Sequence, residues 1–499
     1  MSSSGPTLPS AGPAEPLTFL SISQNIGSID CTGIKTEIPD DIKSMTTRFL
    51  QSLDQFLIDA ANAKRYEFLS NHKNSAAAPL SQTSSPFVSA MKSGFELHSS
   101  VNGSAAAADG DAPEIDVVVV HVQEIGGKKY NAVFNEYLGN AFRSMRSNAG
   151  WCSGLLMQPQ NCDSTFTAMG VVIFLSKRVV PITSVLSVRH RTYVAVSDDP
   201  ISYTGGSAGS LFLGAKFSNA EKSRKGYLLT SLRIGNTCMN FVNLHLYHDA
   251  DNATAAAESP SRYTPRRLEA FLEAMSEVIP VVNPEDPLFI FGDLNTRLDA
   301  KQVLEYMTSR LKLEDGDIKM GKKEIAAPES FWEFFMSRDN HSELHQFDRE
   351  PAMLMDALAE QSGIELCELP IHFPPSYMLD DTQHDGRFHE QYGCTKDGCH
   401  TKISPTTTST FAKKKLRPYK RERMPAWCDR IFMNTTALEL ITGVERQQQH
   451  RIMKQHSGAR LKEATAAAAS GETSAATNTC TYDSVSLECM DHEGVFLLF

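Results

Sequence analysis

The sequence predicts an α/β fold, one large and mostly β domain decorated by three polar insertions. Two observations carry the prediction. Apolar, β-branched runs of strand length recur along the chain, and segments with apolar residues at helical spacing separate some of them. No self-similarity at a period of roughly 20–50 residues is visible, which sets aside a solenoid or a propeller.

In chain order, residues 1–16 are rich in Ser, Pro, Gly and Ala and are expected to form a disordered tail. Phe19 to Ile22 reads as a strand entering the turn Gln24 to Ser28. From Asp40 to about Ser70 the apolar residues Ile42, Met45, Phe49, Leu50, Leu53, Phe56 and Leu57 fall at helical spacing, with Pro39-Asp40-Asp41 as the start signal. Residues 72–112 are rich in Ser, Ala, Asn and Gly and read as an inserted loop. Asp116 to Val122 is apolar without alternation, the pattern of a strand buried on both faces. Further strands are predicted at Gly170–Leu175, Tyr227–Ile234, Met239–Leu246 and Leu288–Phe291, and helices at Arg266 to Val278 and Asp299 to Leu311. Two more polar insertions follow, at 379–418 and 455–480. Insertions of this kind cost little, because closure entropy grows only logarithmically with loop length.

Composition narrows the function. The 499 residues carry a net charge of −11, so an anionic partner must be met by a local concentration of basic residues. No stretch reaches the roughly 18 apolar residues of a membrane span. The N-terminus lacks the basic start and apolar core of a secretory signal, and the ten cysteines show no disulfide-like spacing. A cytoplasmic protein with reduced thiols is expected.

Polar residues sit at the ends of the apolar strands at six places. These are Asn25, Gln123-Glu124, Asn243 with His245, His248 and Asp249, Asp293 with Asn295, Asp429-Arg430, and Asp491-His492. Singly, each is a turn former or a satisfied core group. Together they suit a hard cation with oxygen ligands beside a proton-handling pair. Gly292 allows the backbone to bend sharply there. Cys394, Cys399 and His400, near His384 and His389, lack the tight paired spacing of a zinc site and read as an ordinary loop.

The segments FGDLNTRLD, PAWCDRI and MDH resemble the signature motifs of the inositol polyphosphate 5-phosphatases, within the Mg²⁺-dependent endonuclease/exonuclease/phosphatase superfamily. NLHLYHDADN, SPSRYTPRR, QEIGGKKY and FPPSY look most like its type I branch, which acts on soluble inositol phosphates. The resemblance runs from about residue 19 to 499, interrupted by the insertions. It implies a DNase I-like, four-layered α/β sandwich of two packed, mostly antiparallel sheets flanked by helices, with the site at one end.

By the same resemblance, Glu124, Asn25 and Asp491 would hold Mg²⁺. Asp293 would orient and deprotonate the attacking water, Asn295 would donate to the phosphoryl oxygens, and His245 and His492 would face the phosphate. Asp429 would fix the His492 tautomer. Tyr377, Arg421 and Arg423 match a clamp on the neighbouring 4-phosphate, the two arginines lying in the basic run KKKLRPYKRER at 413–423, with Lys225 and Arg430 as further basic residues for substrate. Three departures stand out. The family's DHKPV is here Asp491-His492-Glu493-Gly494-Val495, its PTYK is Pro375-Ser376-Tyr377-Met378, and the chain stops at Phe499 without a prenylation box.

The expected function is Mg²⁺-dependent removal of the 5-phosphate from soluble inositol polyphosphates, inositol 1,4,5-trisphosphate and inositol 1,3,4,5-tetrakisphosphate. Two alternatives stay open: the same chemistry on a phosphoinositide lipid, and a protein that holds inositol phosphates without cleaving them, for which Glu493-Gly494 is the main support. A nuclease is disfavoured by the charge of −11, since backbone binding needs a broad basic face. Peripheral membrane contact and the oligomeric state are left open.

Overall fold

The computed structural model describes residues 17–75, 115–126, 131–148, 153–157, 168–196, 201–203, 213–220, 224–380, 418–442 and 480–499, apart from the single positions Thr32, Lys35 and Asp315. The tail at 1–16, most of the three insertions and the Cys394, Cys399, His400 group lie outside the described residues.

The described strands are β1 (Phe19–Asn25), β2 (Val117–Gln123), β3 (Ser153–Met157), β4 (Gly170–Leu175), β5 (Thr183–Ser187), β6 (Thr192–Ala195), β7 (Ile201–Tyr203), β8 (Leu213–Lys216), β9 (Gly226–Ile234), β10 (Thr237–His245), β11 (Leu288–Asp293), β12 (Lys319–Met320), β13 (Ile325–Ala326), β14 (Leu366–Cys367), β15 (Asp429–Asn434), β16 (Thr481–Val485) and β17 (Gly494–Leu498). They form two large sheets. One runs β16-β17-β1-β2-β4-β3-β7; the other runs β14-β15-β11-β10-β9-β5-β6, with β8 also on β9. Most pairings are antiparallel; β1–β2, β3–β7 and β10–β11 are parallel.

Alternation along the strands decides the layers. Phe19, Val117, Val119, Phe241, Phe289, Phe291, Ile431 and Met433 share the core between the sheets. Leu20, Ile22, Val118, Val120 and Val122 face the other way, onto Phe49 and Leu53 of α1 (Asp40–Ser75) and Phe134 and Leu138 of α2 (Ala132–Asn148). On the second sheet Leu229, Val242, Leu244, Ile290 and Phe432 pack on Phe271 and Met275 of α3 (Thr264–Val278) and Leu354 and Leu358 of α4 (Glu350–Ser362). The result is helix, sheet, sheet, helix: the DNase I-like four-layered sandwich that the motifs imply. The valine run is buried throughout, because its two faces serve two different cores.

The Glu493-Gly494 departure is absorbed locally. Glu493 Oε2 accepts from Ser484 Oγ on β16 at 2.5 Å. A Cβ at Gly494 would stand 2.8 Å from Gln24 Oε1 and 3.1 Å from Val485 Cγ1, so a larger residue there would have to displace those side chains.

Candidate active site

The same parity builds the site. Asn25, His245, Asp293 and Asp429 occupy odd positions on the strands whose odd residues face the inter-sheet core, at the strand ends where that core opens. The ladders then align them. His245 is directly beside Asp293 in the parallel β10–β11 pair, and Asp293 is directly opposite Asp429 in the antiparallel β11–β15 pair. Gly292 (φ 147°) makes this register reachable: a Cβ there would lie 2.0 Å from the Leu244 carbonyl oxygen. Glu124 follows β2 in a left-handed conformation, φ 61°.

His245 Nε2 lies 3.3 Å from Glu124 Oε1 and 3.3 Å from Asp293 Oδ2, and Lys225 Nζ contacts the same nitrogen. Arg224 pairs with Glu124 Oε2. Asn25 Nδ2 donates to Asp293 Oδ2 at 2.9 Å, while Asn25 Oδ1 accepts the Gly27 N–H at 2.8 Å. Asp293 Oδ1 accepts the Asn295 N–H at 3.0 Å. The Asn295 amide donates through Nδ2 to the Leu246 carbonyl (3.0 Å) and accepts at Oδ1 from Arg297 (2.8 Å). His492 Nδ1 is 2.8 Å from Asp429 Oδ2.

The charges of these groups follow from their packing. Burial alone would raise the Asp293 carboxyl, but His492, His245 and Lys225 outweigh it and hold it far below the usual carboxylate range. Glu124 is held low in the same way, burial being overcome by His245, Lys225 and Arg224. Burial pulls the Lys225 ammonium down to about 8, against Glu124 and Asp293. His492 behaves oppositely: burial opposes its charge, yet Asp429, Asp293 and Asp491 lift it to about 9. His248 is pushed down to about 4 by burial and by Lys225 and Arg297, so it is a neutral imidazole near this cluster.

Two arrangements bear on a metal. A Cβ at Gly27 would stand 2.7 Å from Glu124 Oε2 and 3.0 Å from Asn25 Oδ1, so glycine leaves open a small space onto which a carboxylate and an amide oxygen converge. That donor set fits a hard divalent cation. Asp293, Asp429 and His492 also bring ligand atoms within 4.8 Å of one another. There, however, His492 already carries a proton and supplies the positive charge, so the Glu124–Asn25 space fits a cation better.

The structure does not bring every expected residue into this cluster. Asp491 Oδ1 accepts from Ser28 Oγ at 3.0 Å, on the turn that follows Asn25. The Tyr377 ring lies 4.4 Å from the His492 ring, and the Arg297 guanidinium lies over the Tyr377 ring, 4.5 Å from its centroid. Arg421 pairs with Glu329 near Trp332, and Arg423 bonds Asn252 Oδ1 (2.7 Å) and the Lys322 carbonyl (3.0 Å). Arg430 is the clear correction. It is buried on the opposite face of β15 against Asp348 and Glu368, each at 2.6 Å, because adjacent strand residues point to opposite sides.

Arg297 was missed at the level of sequence. It is buried, and its Nε and Nη1 have no hydrogen-bond partner among the described residues. Its place in FGDLNTR carried no usable parity signal, because β11 ends at Asp293 and Asn295 takes a left-handed conformation, φ 50°.

Residues 87–497 match the family described as Endonuclease/Exonuclease/phosphatase family 2. The human protein named inositol polyphosphate-5-phosphatase A is 27% identical over 362 residues, covering 66% of this chain and 78% of that protein. The Caenorhabditis elegans protein named probable type I inositol 1,4,5-trisphosphate 5-phosphatase is 26% identical over 351 residues, covering 66% and 85%. Among solved structures, the inositol polyphosphate 5-phosphatase domain of SPsynaptojanin, in complex with inositol (1,4)-bisphosphate and calcium ion, is 15% identical with a TM-score of 0.38, covering 78% of this chain and 75% of that one.

Proposed function

The chain belongs to Endonuclease/Exonuclease/phosphatase family 2, and from that premise we propose that it is a Mg²⁺-dependent phosphatase removing the 5-phosphate of soluble inositol polyphosphates. Inositol 1,4,5-trisphosphate and inositol 1,3,4,5-tetrakisphosphate are the substrates, and the biological outcome is the end of a calcium-release signal in the cytoplasm. The relatives' names support the substrate class. The observation that carries the chemistry is the row His245, Asp293, Asp429, set side by side across three strands and closed by Glu124 and His492.

Glu124 and Asn25 would hold the metal, with Asp491 hydrogen-bonded to Ser28 on the neighbouring turn. A bound divalent cation would neutralise charge on the scissile phosphate. Asp293 is ionised and held from both sides by Asn25 and Asn295, so it orients the attacking water and takes its proton as the new oxygen–phosphorus bond forms and the bond from phosphorus to the inositol 5-oxygen breaks, that leaving oxygen taking a proton from solvent water. His492 is a cation whose Nδ1 faces Asp429, which leaves Nε2 for the phosphoryl oxygens. Asn295, its orientation fixed by Arg297, and Lys225 beside His245 add donors on the same side. Tyr377, Arg421 and Arg423 serve the remaining phosphates. No helix among the described residues is long and apolar enough to cross a membrane.

The test is inorganic phosphate release, with Mg²⁺ and with EDTA, from soluble inositol 1,4,5-trisphosphate and from vesicles carrying phosphatidylinositol 4,5-bisphosphate. Mg²⁺-dependent release from the soluble compound is expected, and Asp293→Ala should abolish it. Release chiefly from vesicles would reassign the substrate to the lipid. Binding without release from either would reduce the protein to a holder of inositol phosphates.

A further inference from the structure

The segment carrying Ser376 lies between the stretch that leads into Asp429 and the stretch that carries His492. Tyr377 N–H donates to the Ala426 carbonyl at 3.2 Å, and Ala426 N–H returns a bond to the Tyr377 carbonyl at 3.0 Å. On the other side, Glu493 N–H donates to the Ser376 carbonyl at 2.9 Å. The Ser376 side chain is fully buried. Its Oγ accepts the N–H groups of Cys428 and Asp429, each at 3.2 Å, and donates to Asp429 Oδ2 at 2.7 Å. With both lone pairs engaged by backbone, the hydroxyl proton has one remaining direction. Asp429 Oδ2 therefore receives two donors, Ser376 and His492 Nδ1, while its Oδ1 is buried without a partner among the described residues. An unpartnered buried oxygen favours rotation of the carboxylate toward any available donor, and Ser376 opposes that rotation.

We infer that Ser376 is a positioning residue for the hydrolysis: its hydroxyl fixes the Asp429 carboxylate so that Oδ2 faces His492 Nδ1 and the imidazole presents Nε2 to the phosphate. The inference rests on the reading of Asp429 and His492 as the pair that manages charge on the phosphoryl group. Serine is suited to the place because a hydroxyl both accepts and donates.

Ser376→Ala is expected to lower kcat about 10- to 100-fold, the usual effect of removing an outer partner that orients a functional side chain. KM should stay within about twofold, since no ground-state contact is lost. In an Asp429→Asn background the same change should cost under about twofold more, because residues acting as one unit are not additive. Equal losses in both backgrounds would overturn the inference. A second readout needs no substrate. In ¹⁵N-histidine-labelled protein, the Nδ1–H resonance assigned by its loss in His492→Ala should exchange with solvent faster in Ser376→Ala. Ser376→Thr, which keeps the hydroxyl, should retain slow exchange. Unchanged exchange in a folded Ser376→Ala protein would overturn the inference even if phosphate release were established. Accelerated exchange in a protein that releases no phosphate would uphold Ser376 and remove the assigned chemistry instead.

Discussion

Asp293 and Asp429 stand directly opposite each other in the β11–β15 ladder, and both are buried. Like charges facing across a ladder destabilise a sheet. Here the two carboxylates share His492, and Lys225 adds a second positive charge toward Asp293. His245 Nε2 lies 3.3 Å from Asp293 Oδ2, and His492 Nδ1 is bonded to Asp429. The arrangement separates two roles: an ionised carboxylate held ready for water, and a second one committed to an imidazolium.

That division predicts a stability effect as well as a catalytic one. His492→Ala leaves Asp429 buried and facing Asp293 without its cation, where burial and Asp293 already push its carboxyl upward, at a cost of about 3 kcal/mol, the range for stranding one partner of a buried pair. Adding Asp429→Asn to the same chain should return most of the loss, because the stranded carboxyl is gone. Urea unfolding at neutral pH measures both. A double variant no more stable than His492→Ala would show that the two carboxylates do not repel in the fold.

Gly27 tests the metal space without altering any ligand. Its Cβ would stand 2.7 Å from Glu124 Oε2, so Gly27→Ala crowds the opening between Glu124 and Asn25. Affinity for Mg²⁺ should fall about tenfold or more, the scale set by disturbing a metal's immediate surroundings. The rise in melting temperature on adding Mg²⁺ should shrink accordingly, since ligand stabilisation follows the ratio of concentration to dissociation constant. Titration calorimetry on the metal alone reads the affinity directly. Unchanged affinity would place the cation elsewhere, with Asp293, Asp429 and His492 next in line.

His121 makes the inter-sheet core sensitive to acid. Its ring stacks on Phe291 at 4.6 Å, and neither nitrogen has a partner among the described residues. Burial pushes it down to about 3 from the ordinary value of 6.5. Between those values the unfolded chain binds a proton that the folded chain does not, so stability falls as pH drops below 6.5. The loss approaches about 1.4 kcal/mol per pH unit. His121→Leu removes the titration while keeping a buried apolar side chain. From about pH 7.5 to about pH 4.5 the wild type should lose about 2–3 kcal/mol more than this variant. Parallel stability curves would mean that the native state opens to water at His121.

The architecture was legible because the strand signals are strong. Gly170–Leu175 has the predicted bounds, and the valine run is buried on both faces as its composition implies. Helix α2 was not legible, since Gly139 and Asn140 interrupt its apolar spacing. Asn25, Glu124, His245, Asp293, Asp429 and His492 could be named from motifs, but their register could not. Which strands are neighbours depends on long-range pairing, such as β1 with β17, separated by nearly the whole chain. Arg297 and Ser376 escaped for a different reason. Each acts through another side chain, and a residue of that kind carries no chemistry of its own to be recognised.

Arg430 shows what parity could have corrected and supplies the last prediction. It adjoins Asp429 in PAWCDRIF, and that closeness in sequence made it a candidate for substrate. Adjacent residues of a strand point to opposite faces, so Asp429 in the inter-sheet site places Arg430 outside it. There it is buried between Asp348 and Glu368, and Glu368 also accepts from Tyr482 at 2.7 Å. Burial works against the charge, but these two carboxylates keep the guanidinium fully protonated. Arg430→Gln would strand both of them and should cost about 3–5 kcal/mol of stability. The KM for substrate in the folded fraction should be unchanged. Arg421→Gln, at the exposed rim, should do the reverse, raising KM with little loss of stability, as exposed ion pairs contribute little. Measuring unfolding and KM for the two variants side by side separates a residue that holds the fold from one that meets the substrate. A raised KM in Arg430→Gln at unchanged stability would restore it to the substrate side.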